Sequence, residues 1–411
     1  MRLHPFRALH PRPELAADVA SPPYDVVDTA EARALALGRP NSFLRVVRSE
    51  IDLPPGADPY SDAVYAGAAA RLQAMIADQV LVNDPSPALW IYRLDWGPQT
   101  QIGFVGCVEV DDYVSGLVKR HEFTRRDKED DRTRHIDTVG AHTGPVFLTC
   151  RSEPSLTALQ ARLTQGPPTL EVTARSVRHR LWRIADPELL AIIERAMAQF
   201  EAFYIADGHH RAASAARARD LRRAAHPRAA ESADFERFLA VVFPSDQLRI
   251  LPYNRVVADL AGLSESGFLE RLEGPFEVSA PGAPAAPVSR HEIALYLGGK
   301  WRMLRARQPI IDESDPIARL DVAILQDHLL APVLGITDPR SDKRIDFVGG
   351  IRGTDELERR VDAQGGGCAF SMVATSIEEL LAVADAGMVM PPKSTWFEPK
   401  LASGLLIHPL E

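Results

Sequence analysis

Hydrophobic and polar positions alternate along the chain in two distinct ways. Short apolar runs between turn residues predict β-strands at 88–94, 102–110, 146–150, 203–206, 238–243, 291–297 and 368–373. Longer stretches with apolar residues at helical spacing predict helices at 61–79, 187–200, 211–225 and 376–386. Because strands and helices follow one another in irregular order, the pattern indicates an α/β (α+β) fold without a regular parallel βαβ array.

Breaks in this pattern suggest how the chain is divided. A run of prolines, glycine and alanines at 280–287 is typical of a linker, and it places a boundary near residue 275. A chain of 411 residues also exceeds one ordinary hydrophobic core. We therefore expect an N-terminal lobe at 1–100, a core at 101–275 and a C-terminal α/β domain at 276–411.

Composition and charge narrow the possible functions. The chain has 45% hydrophobic and 25% charged residues, which is typical of a globular protein, and its net charge of −9 argues against a nucleic-acid partner. No apolar run reaches the roughly 18 residues that a membrane span needs, and the first residues lack the apolar stretch that is typical of a signal peptide. We expect a cytoplasmic protein without a membrane partner. Three widely spaced cysteines predict neither a disulfide framework nor a structural zinc site.

The most informative segment reads Tyr-Ile-Ala-Asp-Gly-His-His-Arg and ends at Arg211, where a predicted strand meets a predicted helix. The start of a helix offers backbone N–H groups and a dipole that favour an anion. Gly208 permits a tight turn, and the Arg211 guanidinium matches phosphate oxygens. Asp207, His209 and His210 add a carboxylate and two imidazoles. The segment predicts an active site, with a solvated polar turn as the alternative.

Two further polar clusters precede this turn. Pro22 and Pro23 stiffen the chain before Tyr24 and Asp25, which predicts either a site segment or a rigid turn. The stretch 119–128 surrounds Glu122 with cations, which keep a carboxylate ionised. Such a group could orient a hydroxyl and accept its proton, although an exposed cluster of ion pairs is the competing interpretation.

A last cluster lies at 390–400. Lys393, with two neighbouring hydroxyls and an aromatic residue, could clamp a small anion or zwitterion. The alternative is a loop in which Trp396 and Phe397 pack on the core and Lys393 is solvated. The chain contains neither a P-loop nor the protein-kinase signature set, so phosphoryl chemistry would require another scaffold.

Taken together, these clusters resemble those of the free L-serine kinases called SerK, whose core is like that of the ParB and sulfiredoxin proteins. The matching elements are a His-Glu pair, the Asp-Gly-His-His-Arg turn and a Pro-Lys-Ser-Thr stretch near the end. Over its whole length the chain resembles the bacterial family called domain of unknown function 1015. That likeness rests on four segments: 21–26, 205–211, 250–257 and 390–400.

The resemblance implies a small-molecule kinase with a ParB/sulfiredoxin-like catalytic core. It would transfer a phosphoryl group from ATP or ADP, with Mg²⁺, to the hydroxyl of free L-serine, giving O-phospho-L-serine for a consumer such as cysteine biosynthesis. Free L-serine and a nucleotide are the expected partners, with a homodimer as one option. A non-catalytic nucleotide-binding regulatory protein of the ParB-like superfamily is the alternative function.

Roles for individual residues are likewise implied by the resemblance. The expected catalytic residues are Glu122, Asp207 and His209. The expected nucleotide-binding residues are Gly208, His209, His210 and Arg211. The expected substrate-binding residues are Asp207, Lys393, Ser394, Thr395 and Trp396, and the expected metal ligand is Asp207. Trp396 and Phe397 stand where the small kinases have Arg-His, so Arg120 or Arg255 is a candidate to bind the serine carboxylate.

Overall fold

The computed structural model describes residues 1–229 and 233–410. The chain forms two compact units, of which unit 1 comprises Met1–Leu248 with Pro399–Glu411 and unit 2 comprises Arg249–Glu398. Unit 2 is therefore an insertion in the sequence of unit 1. The mixed α/β class predicted from the sequence is confirmed.

Unit 1 mixes strands and helices along its sequence. Its strands are β1 (Leu9–Pro11), β2 (Leu81–Asn83), β3 (Leu89–Trp96), β4 (Gln99–Glu109), β5 (Val118–Lys119), β6 (Ala141–His142), β7 (Val146–Cys150), β8 (Leu170–Ala174), β9 (Val177–Ile184), β10 (Phe203–Asp207) and β11 (Arg237–Pro244). Its helices are α1 (Ala16–Val19), α2 (Thr29–Ala36), α3 (Leu44–Val47), α4 (Asp62–Ala77), α5 (Val110–Val114), α6 (Arg126–Val139), α7 (Pro154–Leu163), α8 (Pro187–Ala198) and α9 (His209–Ala225).

The main sheet of unit 1 has the strand order β5-β10-β7-β11-β4-β3-β9-β8. Strand β10 runs parallel to β5, and β11 runs parallel to β7, whereas the other neighbours are antiparallel. All five residues of β7 are buried, and so are seven of the eight residues of β11. Strands covered on both faces favour apolar side chains at nearly every position, which explains their largely apolar sequences.

The first hundred residues belong to this same architecture. Strand β3 lies within the main sheet, and the preceding segment is bridged to it at His4↔Cys107 and Phe6↔Ala88. Strand β1 pairs with β2, and Leu9 also bridges Ile407 in the C-terminal segment of unit 1. The expected regions 1–100 and 101–275 are thus not the units that the backbone contacts define.

Helices α6 and α9 pack against each other in unit 1. Helix α6 is strongly polar, and for that reason its sequence contains no apolar stripe that would predict a helix. Its buried Asp131 is paired, because Tyr65 Oη donates a hydrogen bond to Asp131 Oδ1 at 2.8 Å and Arg132 forms an ion pair with Asp131 at 2.8 Å. Paired polar groups can be buried without the full desolvation penalty.

Unit 2 is built around a second sheet. Its strands are β12 (Arg249–Leu251), β13 (Tyr253–Val257), β14 (Phe276–Val278), β15 (Glu292–Leu297), β16 (Lys300–Ala306), β17 (Ile345–Gly349), β18 (Cys368–Met372) and β19 (Trp396–Glu398). Its helices are α10 (Glu265–Leu272), α11 (Asp321–Leu325), α12 (Asp355–Gln364) and α13 (Ile377–Asp385). The sheet has the order β14-β16-β15-β18-β13-β17, and β12 pairs separately with β19. A final strand, β20 (His408–Pro409), returns to unit 1 and pairs with β6.

Of two local sequence patterns in unit 2, one has the predicted structure and the other does not. The helix predicted at 376–386 is α13, which Ser376 caps through a reciprocal capping box with Glu379. The proline-rich run at 280–287 lies between β14 and β15, two strands of one sheet, and its Gly282 N–H donates to Trp301 O at 2.9 Å. This run is therefore a loop inside unit 2, and the boundary expected near residue 275 falls inside that unit as well.

Across the described ranges, no helix combines the length and apolar character needed to cross a bilayer. Cys107, Cys150 and Cys368 are buried free thiols. Burial raises the pKa of each thiol, that of Cys150 to about 12, so all three stay protonated at neutral pH.

Candidate active site

The turn after β10 is a strand-to-helix junction, as the sequence predicts, although α9 already begins at His209. Gly208 forms the junction with φ 94° and ψ 30°, a left-handed conformation that costs side-chain-bearing residues about 1–2 kcal/mol. Its carbonyl accepts hydrogen bonds from Arg211 N at 2.9 Å and Ala212 N at 3.1 Å. First-turn N–H groups together with the helix dipole make this end of α9 suitable for an anion.

Asp207 ends β10 next to this turn. Its side chain is 32% exposed, and its Oδ2 atom lies 3.3 Å from Lys400 Nζ. Lys400 belongs to the C-terminal segment of unit 1. The sequence predicted Asp207 as a site residue but did not single out Lys400, although Lys400 closes the polar cluster at 390–400. The pair provides a carboxylate and an ammonium beside the turn.

His209 is the first residue of α9, and its side chain is buried. Its Nε2 atom accepts a hydrogen bond from the backbone N–H of His121 at 3.4 Å, and the two imidazole rings meet edge to face at 4.5 Å. Burial, followed by the nearby His121, His210 and Arg120, holds the pKa of His209 well below its usual value. The imidazole is therefore neutral, and because Nε2 is an acceptor, we assign the proton to Nδ1.

Glu122 faces this proton. Its Oε2 atom is 3.8 Å from His209 Nδ1, and 38% of its side chain is exposed. The two residues come from clusters 87 positions apart in the sequence. A carboxylate that lies beside a helix N-terminus and remains accessible to solutes can accept a proton from a bound hydroxyl.

Strand pairing explains how these clusters meet. Lys119 on β5 lies opposite Tyr204 on β10, so the residues after β5 are carried to the end of β10. A hydrogen bond also joins the segment after β5 to α9, because Arg125 N donates to Nε2 of His210, the second residue of α9, at 3.0 Å. Burial lowers the pKa of His121 to about 4, so this imidazole also remains neutral. His121 was not predicted as a site residue, because its contribution arises from burial against His209.

Arg211 links the turn to the proline-rich cluster near the N-terminus. Its Nη1 donates to Pro145 O at 2.8 Å, Nη2 lies 3.6 Å from Asp25 Oδ1, and the guanidinium carbon is 5.4 Å from the Tyr24 ring centre. Burial opposes the charge, but Asp25, Tyr24 and Asp207 outweigh it and raise the pKa of Arg211. Burial also raises the pKa of Tyr24 to about 12. Tyr24 and Asp25 therefore surround a permanently charged guanidinium.

A small cavity adjoins Arg211. Its polar lining includes side chains from several elements of unit 1, among them Tyr24, Arg132, Thr143, Arg211 and Ser403. Its volume of about 30 Å³ is sufficient to hold water.

One carboxylate at the turn is relevant to the binding of a metal ion. Within residues 1–229 and 233–410, no three His, Cys, Asp or Glu side chains are arranged to hold a metal ion. Mg²⁺, however, commonly uses one or two carboxylates and takes its remaining ligands from phosphates and water. Asp207 can supply one such carboxylate.

The predicted residues near the end of the chain belong to unit 2. Lys393 is exposed, whereas Ser394 is buried, with Ser394 Oγ donating to Pro391 O at 2.6 Å. Trp396 Nε1 donates to Glu398 Oε1 at 2.9 Å, and Phe397 is fully buried. The substrate roles expected for Lys393, Ser394, Thr395 and Trp396 stay predictions. The residues that the structure brings together around the turn in unit 1 are Glu122, Asp207, His209, His210 and Arg211.

Arg211→Ala should weaken nucleotide binding. The substitution removes a cation next to the helix N-terminus, and a charge-assisted hydrogen bond contributes about 1.5–3 kcal/mol. Calorimetric titration with ATP and ADP would measure the loss. Arg217→Ala is the matched control, because Arg217 lies on the same helix and pairs with Glu129 and Asp130. Equal affinities for both variants would remove Arg211 from the nucleotide site.

Comparison with solved structures finds distant similarities. A free serine kinase in complex with AMP aligns with a TM-score of 0.35 and 16% identity, covering 73% of this chain and 92% of that one. SbnI with a C-terminal truncation, from Staphylococcus aureus, aligns with a TM-score of 0.40 and 12% identity over 74% and 87% of the two chains. A conserved hypothetical protein from Pyrococcus furiosus gives 0.33 and 15% over 73% and 95%. These similarities are too distant to assign an activity.

A search of curated protein sequences finds no significant match. A family model does match, and it spans residues 3–323, well over half of the chain. The matched residues include the Tyr24–Asp25 segment, Glu122 and the Asp207–Arg211 turn. The chain therefore belongs to the family described as "Protein of unknown function (DUF1015)".

Proposed function

We propose that this protein is a nucleotide-dependent kinase that phosphorylates the hydroxyl of free L-serine to give O-phospho-L-serine. The observation that carries the proposal is the position of Glu122, whose accessible carboxylate lies 3.8 Å from His209 Nδ1 at the start of α9. The start of α9, which is suited to an anion, therefore lies next to a carboxylate that can accept a proton. Phosphoryl transfer requires positioning and charge neutralisation more than covalent help, so this combination suits it.

The phosphates of the donor would bind at the turn. The first amide groups of α9 face an anion favourably, and Gly208 lets the backbone approach it closely. Arg211 already provides a partly buried cation there, held by Asp25 and Pro145 O. In the proposed complex, phosphate oxygens would take over part of the attraction that Asp25 now exerts on this guanidinium.

Glu122 would act on the acceptor. A serine hydroxyl is too weak an acid to ionise beforehand, so its proton would pass to the Glu122 carboxylate as the bond to phosphorus forms. The new bond joins the serine oxygen to the transferred phosphorus, while the bond from that phosphorus to the nucleotide oxygen breaks. The nucleotide leaves with one phosphoryl group fewer and retains the electron pair of the broken bond.

His209 would position Glu122 and would not itself donate charge. As a neutral imidazole with its proton on Nδ1, it can hold one carboxylate oxygen by a hydrogen bond while leaving the other for the substrate. Lys400 would hold Asp207 in place and add a positive charge next to the phosphates, since its Nζ lies 3.3 Å from Asp207 Oδ2.

Mg²⁺ fits the donor set of this turn only together with phosphate oxygens. Asp207 is the residue that would hold it, because this carboxylate is partly exposed beside the proposed phosphate site. When bound, Mg²⁺ would neutralise negative charge on the phosphates. Free L-serine as the acceptor is proposed from the sequence resemblance described above, as are the roles of Lys393, Ser394, Thr395 and Trp396.

Product formation is the direct test. The purified protein would be incubated with Mg²⁺, L-serine and either ATP or ADP, and O-phospho-L-serine would be sought by ³¹P NMR and mass spectrometry. We expect product with at least one of the two nucleotides, and the reaction that yields product identifies the phosphoryl donor. Nucleotide binding without product from either tube would instead support the non-catalytic regulatory protein.

A further inference from the structure

Unit 2 contains an arginine in an unusual setting. Arg255 lies on β13, only 3% exposed, and its neighbours across the sheet are Phe347 on β17 and Phe370 on β18. Side chains opposite one another share a sheet face, so this guanidinium lies on an aromatic surface. Burying a charge there is costly unless another group compensates for it.

The compensation that the chain itself supplies is incomplete. Arg255 Nη1 donates to Tyr253 O and Nη2 donates to Lys393 O at 3.2 Å, while the guanidinium carbon lies 5.4 Å from the Phe347 ring centre. No carboxylate of the described residues forms an ion pair with it. Burial lowers the pKa of Arg255 to about 10, so the group still carries its charge at neutral pH.

A second cation lies next to the first. Lys393 is exposed, and its Nζ lies 5.7 Å from the ring centre of Tyr253, the residue whose carbonyl holds Arg255. No ion pair to Lys393 occurs in the described parts of the chain either. Two positive charges therefore lie next to Tyr253, and neither is paired with a carboxylate of residues 1–229 or 233–410.

The loop that carries Lys393 is held in a defined shape. Lys393 has a φ of 59°, an unfavourable conformation for a lysine. The neighbouring Ser394 fixes it, because Ser394 Oγ donates to Pro391 O at 2.6 Å and Ser394 O accepts from Thr375 Oγ1 at 2.9 Å. Preorganised donors bind a ligand with less loss of conformational entropy.

We propose that Arg255 and Lys393 form a binding site in unit 2 for a small oxyanion, either a carboxylate or a phosphoryl group. A guanidinium has five N–H groups, and the two carbonyl contacts use two of them, which leaves donors for a planar or tetrahedral anion. The Lys393 ammonium supplies further donors from the solvent side. Every residue of this site belongs to unit 2. Because Lys393 is also proposed to bind serine, a carboxylate ligand would extend the proposed function, whereas binding of the anion itself requires no kinase activity.

Trp396 offers a local optical signal. Its ring packs edge to face on Tyr253 at 5.2 Å, so an anion that moves Tyr253 or the Lys393 loop should change its fluorescence. The full-length protein would be titrated with inorganic phosphate and, separately, with acetate at constant ionic strength, by fluorescence and calorimetry. We expect saturable binding of at least one anion. Saturation by phosphate alone would identify a phosphoryl ligand, and saturation by acetate alone a carboxylate.

Variants assign the binding to these residues. Lys393→Ala should weaken it about ten-fold or more, whereas Lys300→Ala, an exposed lysine of β16, should not change it. Trp396→Phe should remove the optical signal but retain the calorimetric one. Arg255→Lys keeps the positive charge but loses the planar set of guanidinium N–H donors, so this variant should bind the anion more weakly. Thermal unfolding would confirm that the variant folds.

Two results would overturn the proposal. One is the absence of saturable binding of either anion at millimolar concentrations. The other is binding that persists in Lys393→Ala but disappears in Arg211→Ala, since that pattern would place the anion at the turn in unit 1. The kinase assay and the anion titration can therefore give different results. The protein could show kinase activity without this anion site, or bind the anion without kinase activity.

Discussion

Glu122→Gln should lower the rate of serine phosphorylation by about 10²–10⁴-fold, the usual contribution of a general base. Glutamine has nearly the same shape as glutamate but cannot accept a proton from the attacking hydroxyl. Nucleotide affinity should stay within about two-fold, because the proposed phosphate contacts come from α9 and Arg211. Initial rates by mass spectrometry and calorimetric titration of the nucleotide would measure both effects.

Glu194→Gln is the matched control, since Glu194 is an exposed residue of α8. This variant should retain the wild-type rate, and thermal unfolding of both variants would show that the fold is intact. An unchanged rate in Glu122→Gln would mean that another group accepts the proton, and the proposed mechanism would fail.

Unit 1 should lose stability as the pH falls from 6.5 towards 4. Burial lowers the pKa values of His121, His135 and His179 to about 4 and that of His142 to about 3. The unfolded chain takes up protons at its histidines near pH 6.5, whereas the native protein does not. Below pH 6.5 the unfolded state therefore binds more protons, and the free energy of unfolding decreases.

The expected size of this effect is considerable. One pKa unit corresponds to about 1.4 kcal/mol, so each of these histidines could contribute on the order of 3 kcal/mol over the full range. Urea unfolding between pH 7 and pH 5 isolates the effect, since most carboxylates remain ionised there. His135→Gln should reduce the pH slope while keeping a donor for Val46 O. A free energy of unfolding that does not change across this range would contradict the prediction.

Much of the secondary structure could be predicted because it depends on local patterns. The apolar run at 146–150 coincides with β7, and 187–200 closely matches α8, whose N-cap Asp186 and first-turn proline are local signals. Helix α6 could not be predicted in this way. Its stability comes from contacts with α9 and from buried pairs such as Tyr65–Asp131, which no local pattern reveals.

The division of the chain was harder to predict than its elements. The proline-rich run at 280–287 has the composition of a linker, but it joins two strands of one sheet. The return to unit 1 at Pro399 depends on pairings such as Leu9 with Ile407 and β6 with β20. Such contacts between distant residues leave no periodic signal in a single sequence.

The candidate active site also combines features set by local sequence with features set by contacts between distant residues. The Asp207–Arg211 turn could be predicted because a strand, a glycine and a helix follow one another directly. Pairing of β5 with β10 explains why Glu122 lies next to that turn, and a short strand of two residues is not visible in the sequence. The neutral state of His209 depends on its burial, so only the folded protein could indicate it.

The insertion of unit 2 also imposes an order on how a new chain can fold. During synthesis the whole of Arg249–Glu398 is made before Pro399–Glu411, and domains generally begin to fold as they leave the ribosome. Unit 2 can therefore complete its sheet while unit 1 still lacks β20 and Lys400. The ion pair between Lys400 and Asp207 can consequently form only after all of unit 2 has been synthesised, so the proposed active site matures later than the sheet of unit 2 can.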